Sequence, residues 1–419
     1  MHALLIPFGS AGDVNPFLGL AAELQRRGHT VTVATNGYFV PKAQALGLET
    51  VELGTRDEYL NLLDHPDIWH PTRATGAVLG NHLMPRAVRE QFELVRQQQL
   101  AHPDLVVVAG SLAFGAITAG EALGVPLAVL HLQPSLLRSD VDPPLLPGMP
   151  FGSRTPRWMV RVIFWIADHF IIDPALNKSV GPLRKELGLP RQRRYLKGWI
   201  HGTGKTIGLF PAWYATAPDW PANFLQTGFP RFDGTVEPLS PDLQNFLAAG
   251  TPPIAVTFGS GMTQAGPYFA AAAQALAALG RRGIILTPFR QQVPDPLPAG
   301  VIQQDYVSLK ALLPRCAALI HHGGIGTTSQ ALAAGIPQLI MPLAHDQPDN
   351  AHRIERLGVG LALPPKQFTA TRLAAQLRRL LDVPKVTEAC RTVARHFEHD
   401  TAIDDTIRQI EATAGRQTP

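Results

Sequence analysis

Three short stretches hold residue types able to act on an anionic, hydroxyl-rich substrate. They are Gly9-Ser10-Ala11-Gly12-Asp13, His321-His322-Gly323-Gly324-Ile325-Gly326-Thr327-Thr328 and His345-Asp346-Gln347-Pro348-Asp349-Asn350. A pyrophosphate needs several backbone N–H donors and a positive potential, and a glycine turn opening a helix supplies both. Gly323, Gly324 and Gly326 let the main chain approach, Thr327 and Thr328 add hydroxyls, and His322 can donate a further hydrogen bond. A glycine loop before a helix also serves tight helix–strand packing, so its setting decides. That setting includes Asp346 and Gln347, a carboxylate and an amide after a predicted strand, placed to bind sugar hydroxyls. Tyr306 could cover a nucleobase or be an ordinary amphipathic-strand tyrosine. Asp13 could take a proton from an acceptor hydroxyl, or face the dipole of the helix it opens.

These residues need a scaffold, and the hydrophobic pattern describes one. Ala3 to Ile6 predicts a buried parallel strand, with Asn15 as N-cap and Pro16 at the first helical position of the following helix. Phe17, Leu20, Ala21 and Leu24 share one face, Gly28 stops the helix, and Thr30 to Thr35 is the next strand. A second such unit runs through Leu105 to Ala109, a helix ending near Gly124, and Leu127 to Leu130. The pattern restarts with the strand Ile254 to Phe258, a helix from Pro267 to Leu279 and the strand Ile284 to Thr287. Ala317 to Ile320 then leads into the His321 turn, its helix stops at Gly335, and Gln338 to Met341 is a strand. The expected class is α/β, with two doubly wound Rossmann-like domains facing across a cleft. The stretches 55–90 and 134–200 break the alternation and are rich in Trp, Phe, Leu and Pro, including Trp158, Val162, Phe164, Trp165 and Phe170. They read as helices packing on their own domain, as an apolar acceptor pocket, or as a surface for membrane contact.

Composition narrows the class further. The 419 residues are 45% hydrophobic and 17% charged, which is globular, and the length suits two or three domains. The net charge of +4 is mild, and the basic cluster Arg191, Arg193, Arg194 and Lys197 lacks the long face and motif of a nucleic-acid binder. It reads as a solvated loop, with an anionic membrane surface as the other option. Cys316 and Cys390 lie far apart without ligand spacing, so neither a disulfide framework nor a metal site is expected, and a reducing cytoplasm is the default. The amino terminus has no basic leader, and the apolar run from Val160 to Ile172 contains Asp168 and His169, so no spanning segment is expected.

The block from Tyr306 to Asn350 resembles the donor-binding signature of family 1 glycosyltransferases, which have the glycosyltransferase-B fold. The resemblance implies that His322 and Thr327 bind a diphosphate, Tyr306 stacks on the base, and Asp346 with Gln347 holds the sugar. Where relatives using uridine donors often place a ribose-binding glutamate, this chain has Gln330. Met1 to Asp13, Asp67 to Pro71, Leu209 to Trp213 and Thr227 to Gly234 are similar to the rhamnolipid rhamnosyltransferase branch, which uses dTDP-L-rhamnose and a lipid acceptor. Departures at His322 and at Phe258-Gly259-Ser260 bring the chain nearer to general glucosyltransferases. The Gly9–Asp13 stretch resembles the sterol and glycopeptide branches, whose aspartate is the proposed base; Gly110 and Ser111 stand where histidine-based members carry an orienting aspartate.

The implied activity is inverting transfer of a hexose, glucose or rhamnose, from a UDP- or dTDP-sugar to a hydroxyl of a hydrophobic acceptor, with Asp13 as base and no metal or other cofactor. Donor contacts are expected from Ser10, Gly12, Gly259, Ser260, Tyr306, Val307, His322, Gly324, Gly326, Thr327, Thr328, Gln330, Asp346 and Gln347, and acceptor contacts from Trp69, Phe114, Trp158 and Phe164. Expected domains are 1–215 for the acceptor and 239–395 for the nucleotide sugar. A linker spans 216–238, and a terminal helix in 396–419 crosses back to the first domain. The rivals are a nucleotide-sugar epimerase, which needs no acceptor pocket, and a non-catalytic partner, which could dispense with Asp13. Asp13 and the apolar insertions favour transfer, in the cytoplasm, with peripheral membrane contact as an option and no nucleic-acid partner.

Overall fold

A computed structural model describes residues 1–81, 83–149, 152, 155–232 and 238–415. The chain divides into two compact units, Met1–Pro230 with Thr401–Pro419, and Arg231–Asp400. Of the sequence features above, Asp233 and Gly234, part of the 216–238 stretch and residues 416–419 lie outside the described residues.

The first unit is built on seven parallel strands: β1 (His2–Ile6), β2 (Thr30–Thr35), β3 (Glu49–Glu52), β4 (Leu105–Gly110), β5 (Leu127–His131), β6 (Lys205–Gly208) and β7 (Phe224–Gln226). Their order is β3-β2-β1-β4-β5-β6-β7, with Leu4 opposite both Thr32 and Val107. Strands β1, β4 and β5 are apolar throughout except for their histidines, as a sheet covered on both faces requires. The stretch read as a linker thus contributes an edge strand, since Thr206 to Gly208 pair with Phe224 to Gln226. The helix Ala402–Ala414 belongs to this unit and buries Ile407 and Ile410. Thr406 Oγ1 meets Thr227 Oγ1 at 2.7 Å, and Arg27 pairs with Asp404.

The second unit has six parallel strands: β8 (Ile254–Thr257), β9 (Gly283–Leu286), β10 (Val301–Gln304), β11 (Ala318–His321), β12 (Gln338–Ile340) and β13 (Gly360–Ala362). Their order is β10-β9-β8-β11-β12-β13, the same winding as in the first sheet. Each sheet therefore reverses direction of growth once, between β1 and β4 and between β8 and β11. Ligands of such sheets bind beyond the carboxyl ends of the strands at that point.

One expectation fails locally. The first helix is Ala11–Arg26, capped by extended Ser10, and Pro16 lies inside it. The Asp13 carboxylate accepts the Ser10 N–H at 2.7 Å, which closes the first turn ahead of Asn15. Pro16 then withholds one N–H from the carbonyl four residues earlier, that of Gly12. Asn15 does not cap; its Oδ1 accepts from Lys42 Nζ at 3.0 Å.

Candidate functional site

The three stretches singled out from the sequence fall at or beyond the carboxyl ends of β1, β11 and β12. In the first unit the turn after β1 carries Gly9, Ser10 and Asp13. Gly9 has φ +136°, and a Cβ there would stand 2.3 Å from Asp13 Oδ2, so only glycine allows the carboxylate to fold back over the turn. Ser10 Oγ also donates to that oxygen, at 3.0 Å. Burial pushes the Asp13 carboxyl up from its usual range, against the two Ser10 hydrogen bonds, which pull it down. The result is a partly exposed carboxylate more basic than a free aspartate, beside the exposed Gly12.

On the other side of the switch point, at the end of β4, Ser111 Oγ donates to Leu130 O at 2.9 Å and meets His131 Nδ1 at 3.0 Å. The serine proton is used on the carbonyl, so His131 Nδ1–H donates and Nε2 is left as a buried acceptor without a partner. Burial and the neighbouring His201 ring, 4.8 Å between centroids, keep His131 neutral. His131, fully buried, is a poor rival to Asp13 as a base for an external hydroxyl.

In the second unit the turn after β11 is organised around two histidines with different duties. His321 is fully buried: Gly323 N–H donates to its Nδ1 at 3.2 Å, so its Nε2–H must donate to Gln338 Oε1, 3.0 Å away on β12. It ties the turn to the sheet. His322 points elsewhere and is partly exposed. Its ring is clamped by glycines, because a Cβ on Gly324 would lie 2.6 Å from Nε2 and one on Gly259 would lie 3.0 Å from Cε1. Burial, with repulsion from His345, pushes His322 down to about 4, so the ring is neutral near pH 7. Its Nδ1 is buried without a partner.

The helix that follows, Ile325–Ala334, has Gly324 as N-cap, with no side-chain cap and no acid in its first turn. Its amino end is open to an external anion, with Gly326, Thr327, Gly259 and Ser260 all partly exposed around the same strand ends. Thr328 and Gln330 are buried, and Thr328 Oγ1 and Gln330 Oε1 have no hydrogen-bond partner. Buried polar atoms left this way invite a ligand or water.

The third stretch begins with His345 at φ +57°, an unusual backbone for a non-glycine residue and one that residue type did not announce. Asn350 Nδ2 donates to Gly323 O at 2.9 Å and to Asp346 Oδ2 at 2.6 Å, tying the Asp346 carboxylate to the glycine turn. Gln347 is less free than the sequence suggested: its Oε1 accepts from Leu343 N at 2.7 Å and Ala344 N at 3.2 Å, leaving only its amide hydrogens for a ligand. Tyr306 lies two residues past β10 and is half exposed, and Val307 packs against the core of the unit.

The acceptor candidates fare unevenly. Phe114 is fully buried in the first unit's core, its ring 6.2 Å from that of Trp199, and is corrected to a packing residue. It opens the helix Phe114–Leu123, whose next residue, Gly115, lies against the helix Met84–Ala101 and donates its N–H to Gln91 Oε1 at 2.9 Å. Phe164 is also buried, with the Arg138 guanidinium 4.3 Å above its ring, and is corrected likewise. Trp158 is exposed and Trp69 half-buried.

Two family profiles match the chain: the Erythromycin biosynthesis protein CIII-like, C-terminal domain over residues 274–412, and the Glycosyl transferase 4-like domain over residues 15–173. Glycosyltransferase GtfC of Amycolatopsis orientalis is 30% identical, the alignment covering 96% of this chain and 95% of that protein. An uncharacterized glycosyltransferase of Mycobacterium leprae is also 30% identical, over 99% of this chain and 98% of its own length. Among solved structures, glycosyltransferase VinC in complex with dTDP superposes with a TM-score of 0.66, at 23% identity and 99% coverage of both chains. The chain belongs to the family 1 glycosyltransferases and has their glycosyltransferase-B fold of two Rossmann-like domains.

Proposed function

We propose that the chain is an inverting hexosyltransferase, moving glucose or rhamnose from a UDP- or dTDP-sugar to a hydroxyl of a hydrophobic small molecule or lipid. The observation that carries the donor half is the uncapped helix at Gly324, with the unpartnered His322 Nδ1, Thr328 Oγ1 and Gln330 Oε1 in one turn and helix. The diphosphate sits on the N–H groups of the turn with His322, Ser260 and Thr327, and Asp346 takes sugar hydroxyls. Gln330 Oε1 accepts from the pentose 3′-hydroxyl, which ribose of UDP and deoxyribose of dTDP both offer. The VinC complex with dTDP speaks for the thymidine donor.

Asp13 takes the acceptor proton as the acceptor oxygen bonds to the anomeric carbon and the bond to the diphosphate oxygen breaks. The leaving negative charge is neutralised by the turn, and no metal is called on. The enzyme works in the cytoplasm with peripheral contact to a membrane.

A thermal-shift panel of UDP- and dTDP-sugars tests the reading. A true donor at 100 times its Kd should add about 2.7 kcal/mol of stability. Turnover of that donor with a hydrophobic alcohol should give the inverted anomer. A panel in which no nucleotide sugar raises the melting temperature would sink the donor assignment.

A further inference from the structure

The helical segment 157–172 is apolar on two sides. Val160, Phe164 and Ala167, spaced as one helical stripe, face the unit's interior. On the other side stand Trp158, Val162, Trp165, Ile166, Phe170 and Ile171, with Trp158 65% and Phe170 63% exposed. The Trp165 and His169 rings stack at 5.2 Å, and Phe170 sits edge-on to both. So many large apolar groups in one exposed stretch mark an interaction surface.

The charge around them is one-sided. Residues 155–200 hold nine Lys and Arg against three Asp and Glu, an excess larger than the whole chain's +4, so the remainder is net negative. The three acids are occupied. Asp168 is buried against Arg138 at 2.6 Å, Asp173 accepts from Arg194 N and Tyr195 N, and Glu186 pairs with Arg89. Arg157 and Arg161 share the single carboxylate of Asp140. The Asp173 bonds also pin the loop bearing exposed Arg191, Arg193, Arg194 and Lys197 to the end of the helical segment.

We propose that this face docks the first unit on an anionic lipid surface, the tryptophans and Phe170 entering the interface and the basic loop meeting the headgroups. The proposal rests on the peripheral-contact reading above and specifies its surface. A second copy of the chain fits poorly, because it would bring the same positive excess against itself. Among the described residues no helix is long and apolar enough to cross a membrane, so the contact is superficial.

The full chain should sediment with vesicles of phosphatidylcholine and phosphatidylglycerol, not with phosphatidylcholine alone, and should be released by high salt. Its tryptophan emission should shift to the blue on binding. The pair Trp165→Ser and Phe170→Ser should lower the bound fraction at least about tenfold, since burying two aromatic side chains is lost. Arg193→Glu with Arg194→Glu should weaken binding to the anionic vesicles by a similar factor. Melting temperature checks that each variant folds; should the aromatic pair fail to fold, the charge pair and the emission shift decide. Wild type that stays in the supernatant, variants that bind like wild type, or a dimer that the aromatic variant dissolves would each overturn the proposal. Transfer to a water-soluble alcohol without vesicles is measured alongside: its absence would break the transferase reading while leaving the docking result standing.

Discussion

The two units wind their sheets alike and each sets a glycine turn and a helix beside its switch point, after β1 in the first and after β11 in the second, yet the two turns carry opposite chemistry. In the first unit the helix caps itself: Asp13 Oδ2 takes the Ser10 N–H and the Ser10 hydroxyl. In the second unit Gly324 offers no cap, no acid follows it, and neutral His322 stands beside the open amides. One turn thus presents a negative oxygen and the other a set of donors. The carboxylate folded over the first turn is partly desolvated, which makes it a better proton acceptor than a free aspartate.

The largest effect should come from removing the carboxylate. Asp13→Asn keeps an oxygen for Ser10 but cannot take a proton usefully, so turnover with an aliphatic alcohol should fall about 10²–10⁴-fold while donor binding stays near normal. A nitrophenol acceptor, which ionises readily, should lose less. If Asp13 serves only as a helix cap, calorimetry should instead find about 1 kcal/mol of lost stability and steady-state assays a normal rate.

Asp346→Ala should come next, costing roughly 2–4 kcal/mol of transition-state stabilisation while UDP or dTDP without sugar still binds. Isothermal titration separates the two quantities. Equal loss of bare nucleotide affinity would mean that Asp346 matters only by holding Asn350 against the Gly323 turn. A smaller change should follow Gly324→Ala, whose Cβ collides with His322 Nε2; nucleoside diphosphate affinity should drop about tenfold, the worth of one displaced hydrogen bond. The same titration giving an unchanged Kd would remove His322 from the diphosphate site.

The smallest effect is on stability and pH. His321, at about 3, and His201, at about 4, are buried neutral in the folded state, whereas the unfolded imidazoles titrate near 6.5. Unfolded chain then binds more protons below pH 6.5, so stability falls as pH drops through the window from 6.5 toward 4. Each histidine contributes about 1.4 kcal/mol per pH unit at most. Asp13 has the opposite sign: its raised folded value makes its ionisation a cost that lowering the pH through that value relieves. Melting curves of His201→Gln should be flatter with pH than those of the parent, and an equally steep decline would rule out His201 as a source.

The strand positions were legible because fully buried parallel strands must be continuous apolar runs. Thr30–Thr35 matches its expected bounds, and β1, β4, β5, β8 and β11 fall within about a residue of theirs. The His321 turn and its stop at Gly335 were legible for a related reason: a left-handed C-cap at φ +68° needs glycine. The start of the first helix was not. Asn15-Pro16 is a good local start signal, and only the Gly9 turn, with the Asp13 carboxylate lying over it, shows that the helix begins earlier.

Residue chemistry by itself carried the family resemblance, and with it the proposed roles: glycines for close approach, histidine and threonine for phosphate, carboxylates for sugar and proton. What tertiary structure alone decided was which side chains are available. Phe114 and Phe164 look like Trp158 in a sequence of apolar residues, but Phe114 is buried in the first unit's core and Phe164 under Arg138, whereas Trp158 is exposed. Gln347 looks wholly available in the sequence, but its oxygen holds the Leu343–Ala344 backbone and only its amide hydrogens are left to donate. Availability depends on contacts between residues far apart in the chain, and no local pattern of residue types encodes those contacts.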